Sequence, residues 1–214
     1  MGKGKTYKKL HKWPGLIIAF ILLYFSVTGI LMNHRNAISC LDINRAVLPL
    51  NYRYDNWNLS AVKGNQYIGP DSVLLYGNIG IWLTDSLYEN YVSFNHGFPH
   101  GTDNRKIFDV HKTSGGNLYA ATLSGLYTYE KTNGQWKKID IDVSINRFVG
   151  IESVKDTLYA MNRSHIFKGL DKGFDTKLQK VALPAPTGYK KEVSVFETIW
   201  QIHSGEVFGL PGKL

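Results

Sequence analysis

The sequence contains a single cysteine, Cys40, among its 214 residues. An internal disulfide is therefore impossible, and we expect Cys40 to be an inert, packed thiol. The absence of a Cys-x-x-Cys-His motif excludes covalent attachment of a c-type haem. There is no Gly-rich phosphate loop, His-Glu-x-x-His motif or Gly-x-Ser-x-Gly elbow, so no residue set supports a hydrolase and no catalytic residue is assigned.

Acidic residues are fewer than basic ones, with 17 Asp and Glu against 25 Lys and Arg. The net charge of +8 overstates the basicity of the main domain, because several lysines precede residue 13. These are Lys3, Lys5, Lys8, Lys9 and Lys12. No arginine-rich stripe indicates a nucleic-acid partner.

Charge is missing altogether from Trp13–Met32, a run rich in Leu, Ile, Phe and Val. As a helix it would be roughly 30 Å long, which matches the hydrocarbon core of a bilayer. We therefore predict a transmembrane helix over 13–33, with Pro14 at its start and the lipid bilayer as a partner. The basic tail, residues 1–12, predicts a cytoplasmic N-terminus and a single-pass chain. A cleaved signal peptide is the alternative, but its apolar core would be shorter and followed by small residues.

After a connector over 34–63, residues 64–197 alternate apolar and polar side chains between Gly, Asn, Asp and Ser, which is a β pattern. Three segments share a Leu-Tyr pair, a polar turn and a second apolar strand. Their tyrosines, Tyr76, Tyr119 and Tyr159, are 43 and 40 residues apart, a period typical of β-propeller blades. The middle segment resembles propeller repeats in sensor regions of two-component regulators. We predict a mainly β domain outside the cytoplasm, either propeller-like or a plain antiparallel sheet or sandwich, anchored by one N-terminal helix.

Three of the seven histidines are candidate cofactor ligands. His11 and His34 flank the apolar run and would be roughly 34 Å apart along a helix, so they cannot bind the same haem. His203 follows the β domain, and chain direction permits it to meet His34 outside the membrane. Two neutral imidazoles are a usual axial pair for a b-type haem. The alternative is that His11 and His34 are interfacial polar residues that mark the helix ends.

The other four histidines have structural interpretations. His96 and His100 are separated by Gly and Pro, so we expect loop residues rather than a helical metal-ligand pair. His111 and His165 lie in strand-like contexts, and we expect structural roles. No metal site is predicted.

The two ends of the chain resemble the PepSY-associated transmembrane family. The resemblance rests on Lys9-Leu-His-Lys-Trp-Pro-Gly-Leu-Ile, Thr28-Gly29, Asn33-His34-Arg35 and His203-Ser-Gly-Glu-Val-Phe-Gly-Leu-Pro-Gly. It implies a bacterial inner-membrane protein, and several members are di-haem reductases of ferric siderophores. By this resemblance His11 serves an inner haem b, and His34 and His203 an outer one. The middle of the chain looks like the propeller-like insert of a subgroup.

Residues 198–214 look like the family's entry into its next membrane helix. Because the family pattern has several spans, we expect a chain that stops at Leu214 to be a fragment or a truncated gene product. Missing membrane helices or a homo-oligomer would have to supply the partner of His11.

Two functions follow from these observations. In the first, electrons pass from a cytoplasmic donor through haem b to a ferric chelate outside the membrane. In the second, the helix only tethers a β domain that binds or senses a ligand or partner. Its candidate surface consists of the aromatic residues Tyr88, Tyr91, Phe94 and Phe98.

Overall fold

The computed structural model describes residues 3–49, 62–141, 147–190, 192–204 and 207. The N-terminal apolar run lies in one helix, α1 (Lys3–Asn33). The stretch His11–Asn33 has a mean hydropathy of 2.4 and is long and apolar enough to cross a membrane. The helix starts well before the predicted position, so Pro14 lies inside it and not at its first turn. Proline costs a helix the hydrogen bond of one N–H group, and α1 continues through that loss.

The polar side chains inside α1 are satisfied by the helix itself. The Ser26 hydroxyl donates to the Leu22 carbonyl at 2.8 Å, and the Thr28 hydroxyl donates to the Tyr24 carbonyl at 3.0 Å. Unpaired polar groups are costly in hydrocarbon, so this internal pairing suits a helix surrounded by lipid.

Two short helical segments follow α1 in the connector, α2 (Arg35–Ile38) and a 3₁₀ turn at Arg45–Val47. Near the other end of the chain, α3 (Val195–His203) begins after Ser194, whose hydroxyl accepts from the Glu197 backbone N–H at 3.0 Å. Serine followed by glutamate three residues later is a typical helix start. The chain divides into two compact units: residues 39–184 form the β unit, and the two ends form the other.

The described part of the β unit contains three four-stranded antiparallel sheets, each formed by four consecutive strands. Sheet 1 comprises β1 (Gly64–Gly69), β2 (Ser72–Gly77), β3 (Gly80–Thr84) and β4 (Tyr91–Ser93). Sheet 2 comprises β5 (Ile107–Lys112), β6 (Leu118–Thr122), β7 (Leu126–Glu130) and β8 (Gln135–Lys138). Sheet 3 comprises β9 (Phe148–Val154), β10 (Thr157–Asn162), β11 (Ile166–Leu170) and β12 (Gln179–Val181). The predicted fold class, mainly β with one N-terminal apolar helix, is confirmed, and each sheet has the up-and-down order of a propeller blade.

Two apolar clusters pack each sheet against the next sheet along the chain. One joins sheets 1 and 2 and contains Leu74, Tyr76, Ile81, Ile107, Val110, Leu118, Ala120, Tyr127 and Trp136. The other joins sheets 2 and 3 and contains Tyr119, Ala121, Leu126, Ile139, Phe148, Ile151, Leu158, Ala160 and Phe167. Successive residues of a strand point to opposite faces, so β6 contributes alternately to both clusters and all five of its residues are buried.

Sheet 3 is covered on only one face by these clusters. Along β10, Leu158 and Ala160 are buried against sheet 2, whereas Thr157, Tyr159 and Met161, which alternate with them, are half-exposed. The uncovered side, which we call the open face, carries Glu152, Thr157, Tyr159, Met161, Lys168 and Leu170.

The three Leu-Tyr pairs do not share one register. Tyr119 lies opposite Thr128 and Tyr159 lies opposite Lys168, so these two tyrosines occupy equivalent positions. Tyr76 lies opposite Ile81, two residues nearer to its turn. The period in the sequence identified the three sheets correctly. It placed Tyr76 at the wrong position relative to the other two tyrosines, because the spacing along the chain does not fix where a residue lies within its hairpin.

The connection between sheets 1 and 2 is hydrogen-bonded to Trp136 of β8. The backbone N–H of Trp136 donates to the His96 carbonyl, and the indole N–H of Trp136 donates to the Phe94 carbonyl, both at 2.8 Å. Gly97 has a φ of 97°, and a side chain there would collide with the Trp136 backbone. Glycine is therefore required at this close approach.

Candidate functional site

His34 has the geometry of a potential axial ligand. It is exposed at the end of α1, and its Nδ1 lies 3.0 Å from the Ile30 carbonyl oxygen. A carbonyl oxygen only accepts, so Nδ1 carries the hydrogen and Nε2 of the neutral ring keeps the lone pair that a haem iron binds. His34 alone thus fits one axial position of a b-type haem, which would supply electron transfer if bound.

His11 and His203 are both exposed, His11 on α1 and His203 as the last residue of α3. Among the described residues, no three His, Cys, Asp or Glu side chains gather as a metal site. Haem ligation by His11, His34 and His203 stays a prediction. The predicted membrane segment 198–214 also stays a prediction, since 205–206 and 208–214 lie outside the described residues.

The other histidines occupy the positions expected from the sequence. His96 and His100 lie in the connection after β4. His111 is in β5, with its Nε2 2.8 Å from the Ser153 hydroxyl of sheet 3. His165 directly precedes β11. None of these four residues needs a cofactor to explain its position.

The prediction that Cys40 is packed is wrong, because the thiol is exposed. The connector around it is fixed to the β unit through Asp42, whose carboxylate accepts from the backbone N–H and the hydroxyl of Thr102 at 3.0 and 2.7 Å. The Thr102 hydroxyl bond lowers the pKa of Asp42, and the backbone bond adds to this effect. Gly101, with a φ of 91°, allows the close approach of Ser39. The connector is therefore anchored while the thiol stays accessible.

The aromatic surface predicted for a binding module is largely incorrect. Phe94 and Phe98 pack against the cluster between sheets 1 and 2, and the Phe98 ring stacks on Trp136 with centroids 5.2 Å apart. Tyr91 is exposed, and Tyr88 is half-buried with its hydroxyl accepting from Asn65 at 2.9 Å. Four aromatic residues close in sequence do not share one surface, because the chain turns between them.

A groove of about 770 Å³ lies on the open face of sheet 3. Its walls come from β10, β11, β12 and the 3₁₀ turn at Gly173–Asp175. The residues that line it are Thr157, Tyr159, Lys168, Gly169, Leu170, Lys172, Asp175, Lys177 and Gln179. Three of these carry positive charge and one carries negative charge. The sequence analysis missed this site, although the alternation of Thr157, Tyr159 and Met161 with buried residues was a signal that one face of the strand is uncovered.

The equivalent tyrosine of sheet 2 shows how such a face is closed. Tyr119 is fully buried, and its hydroxyl donates at 2.6 Å to the carboxylate of Asp171, the residue directly after β11 of sheet 3. The same carboxylate accepts from the Asn117 side chain at 2.8 Å, and the Gly173 backbone N–H donates to the Tyr119 hydroxyl at 3.0 Å. Burial raises the pKa of Tyr119, and the hydrogen bond to Asp171 raises it further, so the hydroxyl remains a donor.

This network predicts an acid-dependent loss of stability. Burial raises the pKa of Asp171, but hydrogen bonds, from Thr113 and Tyr119 foremost, outweigh burial and lower it below its ordinary value. A lowered folded-state pKa adds stability that is complete above the unfolded pKa and disappears as the pH falls through the folded pKa. We expect this contribution to begin to fall at about pH 4, the ordinary pKa of an aspartate, and to disappear as the pH falls further through the lower folded-state pKa. Urea unfolding of the full chain in detergent at several pH values should show a shallower acid dependence for Asp171→Asn than for the wild type.

The control for this experiment is Asp140→Asn, at an exposed position. It should retain the wild-type pH dependence. Equal acid dependence of the wild type and Asp171→Asn would contradict the assigned role of Asp171.

No family model and no curated protein matches this chain. Among solved structures, the extracellular domain of BT4673 from B. thetaiotaomicron, described as a one-component system, is 18% identical with a TM-score of 0.47 and covers 56% of this chain. PorZ, described as a surface component of the type-IX secretion system of Porphyromonas gingivalis, is 17% identical with a TM-score of 0.42 and covers 60% of this chain. In each comparison the chain spans 17% of the length of the other protein.

Proposed function

We propose that this protein is a membrane-anchored binding or sensing module whose β unit lies outside the cytoplasmic membrane and has no redox role. The observation that carries the proposal is the groove on the open face of sheet 3. Clefts of several hundred cubic ångströms are typical of ligand sites. The apolar stretch His11–Asn33 of α1 and the lysines among residues 3–12 support the anchoring and the orientation.

The competing hypothesis is the haem protein implied by the resemblance to the PepSY-associated family. It is favoured by the orientation of His34 and requires a second ligand. The two hypotheses differ in haem content, since a tethered binding module needs none.

Cys40 provides a direct test of the orientation, because it is the only cysteine and is exposed. We expect a membrane-impermeant maleimide to label Cys40 on intact cells. The matched control is Lys5→Cys in a Cys40→Ser background, which should be labelled only after the membrane is permeabilised. The reverse pattern would place the β unit in the cytoplasm and contradict the proposal.

A reduced-minus-oxidised absorbance spectrum of the purified full chain tests the absence of a redox role. We expect no b-type band, and no difference between the wild type and His34→Ala. A b-type band that disappears in His34→Ala and in His203→Ala would reject the proposal in favour of the haem hypothesis.

A further inference from the structure

The open face of sheet 3 differs chemically from the equivalent face of sheet 2. At equivalent positions in the register, Tyr119 lies opposite Thr128, whereas Tyr159 lies opposite Lys168. Thr128 is small, neutral and buried beneath sheet 3, and Lys168 is exposed. A lysine in place of the threonine would be costly beneath an apolar sheet, because burial of an unpaired charge is unfavourable. The open face is therefore suited to a partner that brings negative charge.

Two of the three buried tyrosines in the described part of the β unit donate their hydroxyl to an aspartate, whereas the hydroxyl of the third, Tyr127, lies 3.2 Å from the Ser124 hydroxyl. Tyr76 of sheet 1 donates to the Asp109 carboxylate of sheet 2 at 3.2 Å, and Tyr119 of sheet 2 donates to Asp171. Asp109 lies in the covering sheet, and Asp171 directly follows β11 of the covering sheet. The Tyr159 hydroxyl makes no hydrogen bond to any residue in the described ranges. A carboxylate from outside would give Tyr159 the partner that its register equivalent, Tyr119, has within the chain.

The surroundings of Tyr159 would stabilise such a carboxylate. Lys168, Lys172 and Lys177 line the same groove, and Asp175 is the single acidic residue among the lining residues. Glu152, opposite Tyr159 in β9, is not a lining residue; its carboxylate accepts from the Ser153 backbone N–H at 2.9 Å and lies 3.7 Å from His111 Nε2. Positive charges at a contact favour an acidic partner and speed its approach.

A second copy of this chain fits the face less well. A two-fold contact between open faces would bring each lysine set towards its equivalent, which is repulsive. Sheet 1 of a second copy could pack on the open face only through its side that carries Val73 and Leu75. Both residues are already buried, so that side is not free to cover the open face.

From these observations we propose that the open face of sheet 3 docks an acidic surface of a partner protein, which places an Asp or Glu carboxylate against the Tyr159 hydroxyl between Lys168 and Lys172. This inference rests on the proposed function as a binding module and names the chemistry of its partner.

The test uses the full chain in phosphatidylcholine nanodiscs, whose lipids have no net charge. The probe is a short, end-blocked aspartate peptide with a neutral fluorophore, and fluorescence anisotropy measures its affinity. We expect Tyr159→Phe to weaken binding about tenfold, since it removes only a hydrogen bond to a charged group. We expect Lys168→Gln to weaken binding about threefold, as for one exposed ion pair. An asparagine peptide of the same length should not bind.

The matched controls are Tyr129→Phe in β7 and Lys131→Gln in the turn that follows β7, and neither should change the affinity. Equal losses in these controls would overturn the assignment of the site. Competition by dextran sulfate that is equally effective against the wild type and Tyr159→Phe would show recognition of charge alone and overturn the carboxylate assignment. Self-association that Tyr159→Phe abolishes would identify a second copy as the occupant and likewise overturn the proposal. Failure of the wild type to bind the peptide would reject this inference only, because Cys40 labelling and the haem spectrum test the proposed function separately.

Discussion

Replacement of Asp109 by alanine is expected to lower the free energy of unfolding of the β unit by about 3 kcal/mol. The Asp109 carboxylate accepts from the Tyr76 hydroxyl of sheet 1 at 3.2 Å and from the Ile151 backbone N–H of sheet 3 at 2.8 Å. Asp109 itself belongs to β5 of sheet 2, so one side chain joins all three sheets. Alanine would leave two donors without their acceptor, and each such loss costs roughly 1–3 kcal/mol.

The Tyr76 hydroxyl keeps its proton and donates to Asp109 at neutral pH. Burial, and then the charge of Asp109, raise the pKa of Tyr76 to about 12. The hydroxyl therefore stays protonated throughout the neutral range, and its bond to Asp109 does not depend on pH there. The lost stability should accordingly be the same at pH 7 and pH 8.

The measurement is urea unfolding of the full chain in detergent, followed by near-ultraviolet circular dichroism. Tyr76→Phe removes one of the two bonds and should cost about 1 kcal/mol. Asp109→Asn keeps an amide oxygen as acceptor for one donor, so its effect should fall between those of Tyr76→Phe and Asp109→Ala. Asp140→Ala, at an exposed position, is the matched control. A loss below about 0.5 kcal/mol for Asp109→Ala, the range of ordinary surface changes, would show that Asp109 does not join the sheets.

The sheets themselves could be predicted from the sequence, because their determinants are local. Alternating apolar residues specify strands, and glycine-rich or polar turns end them. The burial of β6 on both faces is also visible in its composition, since Ala120 and Ala121 are small enough for sheets on either side to approach. In β10, Thr157 and Met161 flank Tyr159 at the alternate positions that the structure leaves half-exposed.

The aspartates that join the sheets could not be predicted in the same way. Asp109 and Tyr76 are 33 residues apart, and Asp171 and Tyr119 are 52 residues apart. An aspartate in a polar stretch has the same local pattern whether it faces solvent or a buried hydroxyl. Its role depends on which sheets pack together, and this information lies in the tertiary structure. The groove escaped prediction for the same reason, because its lysines come from separate strands and turns.

Cys40 illustrates a different limit of sequence interpretation. Free cysteines are among the residues most often buried, so a packed thiol was the reasonable expectation. The hydrogen bonds between Asp42 and Thr102 instead hold the connector against the strands of the β unit, and the thiol of Cys40 nearby stays exposed. Average burial by residue type does not determine the exposure of one residue in an irregular segment.

Replacement of Trp136 by alanine is expected to destabilise the β unit by about 3–5 kcal/mol, as for other large aromatic residues removed from a core. Trp136 is 2% exposed and lies in the cluster between sheets 1 and 2. Its ring stacks on Phe98, and its indole N–H donates to the Phe94 carbonyl. Alanine would leave a cavity and an unpaired carbonyl where the connection between the two sheets is fastened.

Trp136→Phe separates the two contributions. It retains an aromatic ring but removes the indole N–H, so we expect its free energy of unfolding to lie between those of the wild type and Trp136→Ala. The matched control is Trp200→Ala in α3, where the tryptophan is 45% exposed and belongs to the other compact unit. That variant should leave the urea midpoint of the β unit unchanged, as measured by near-ultraviolet circular dichroism. If Trp136→Ala and Trp200→Ala shifted the midpoint equally, the packing of Trp136 would not be what holds sheets 1 and 2 together. A shift confined to Trp136→Ala would place that contact among the main sources of stability of the β unit, because one side chain both fills the cluster between sheets 1 and 2 and bonds the connection at Phe94.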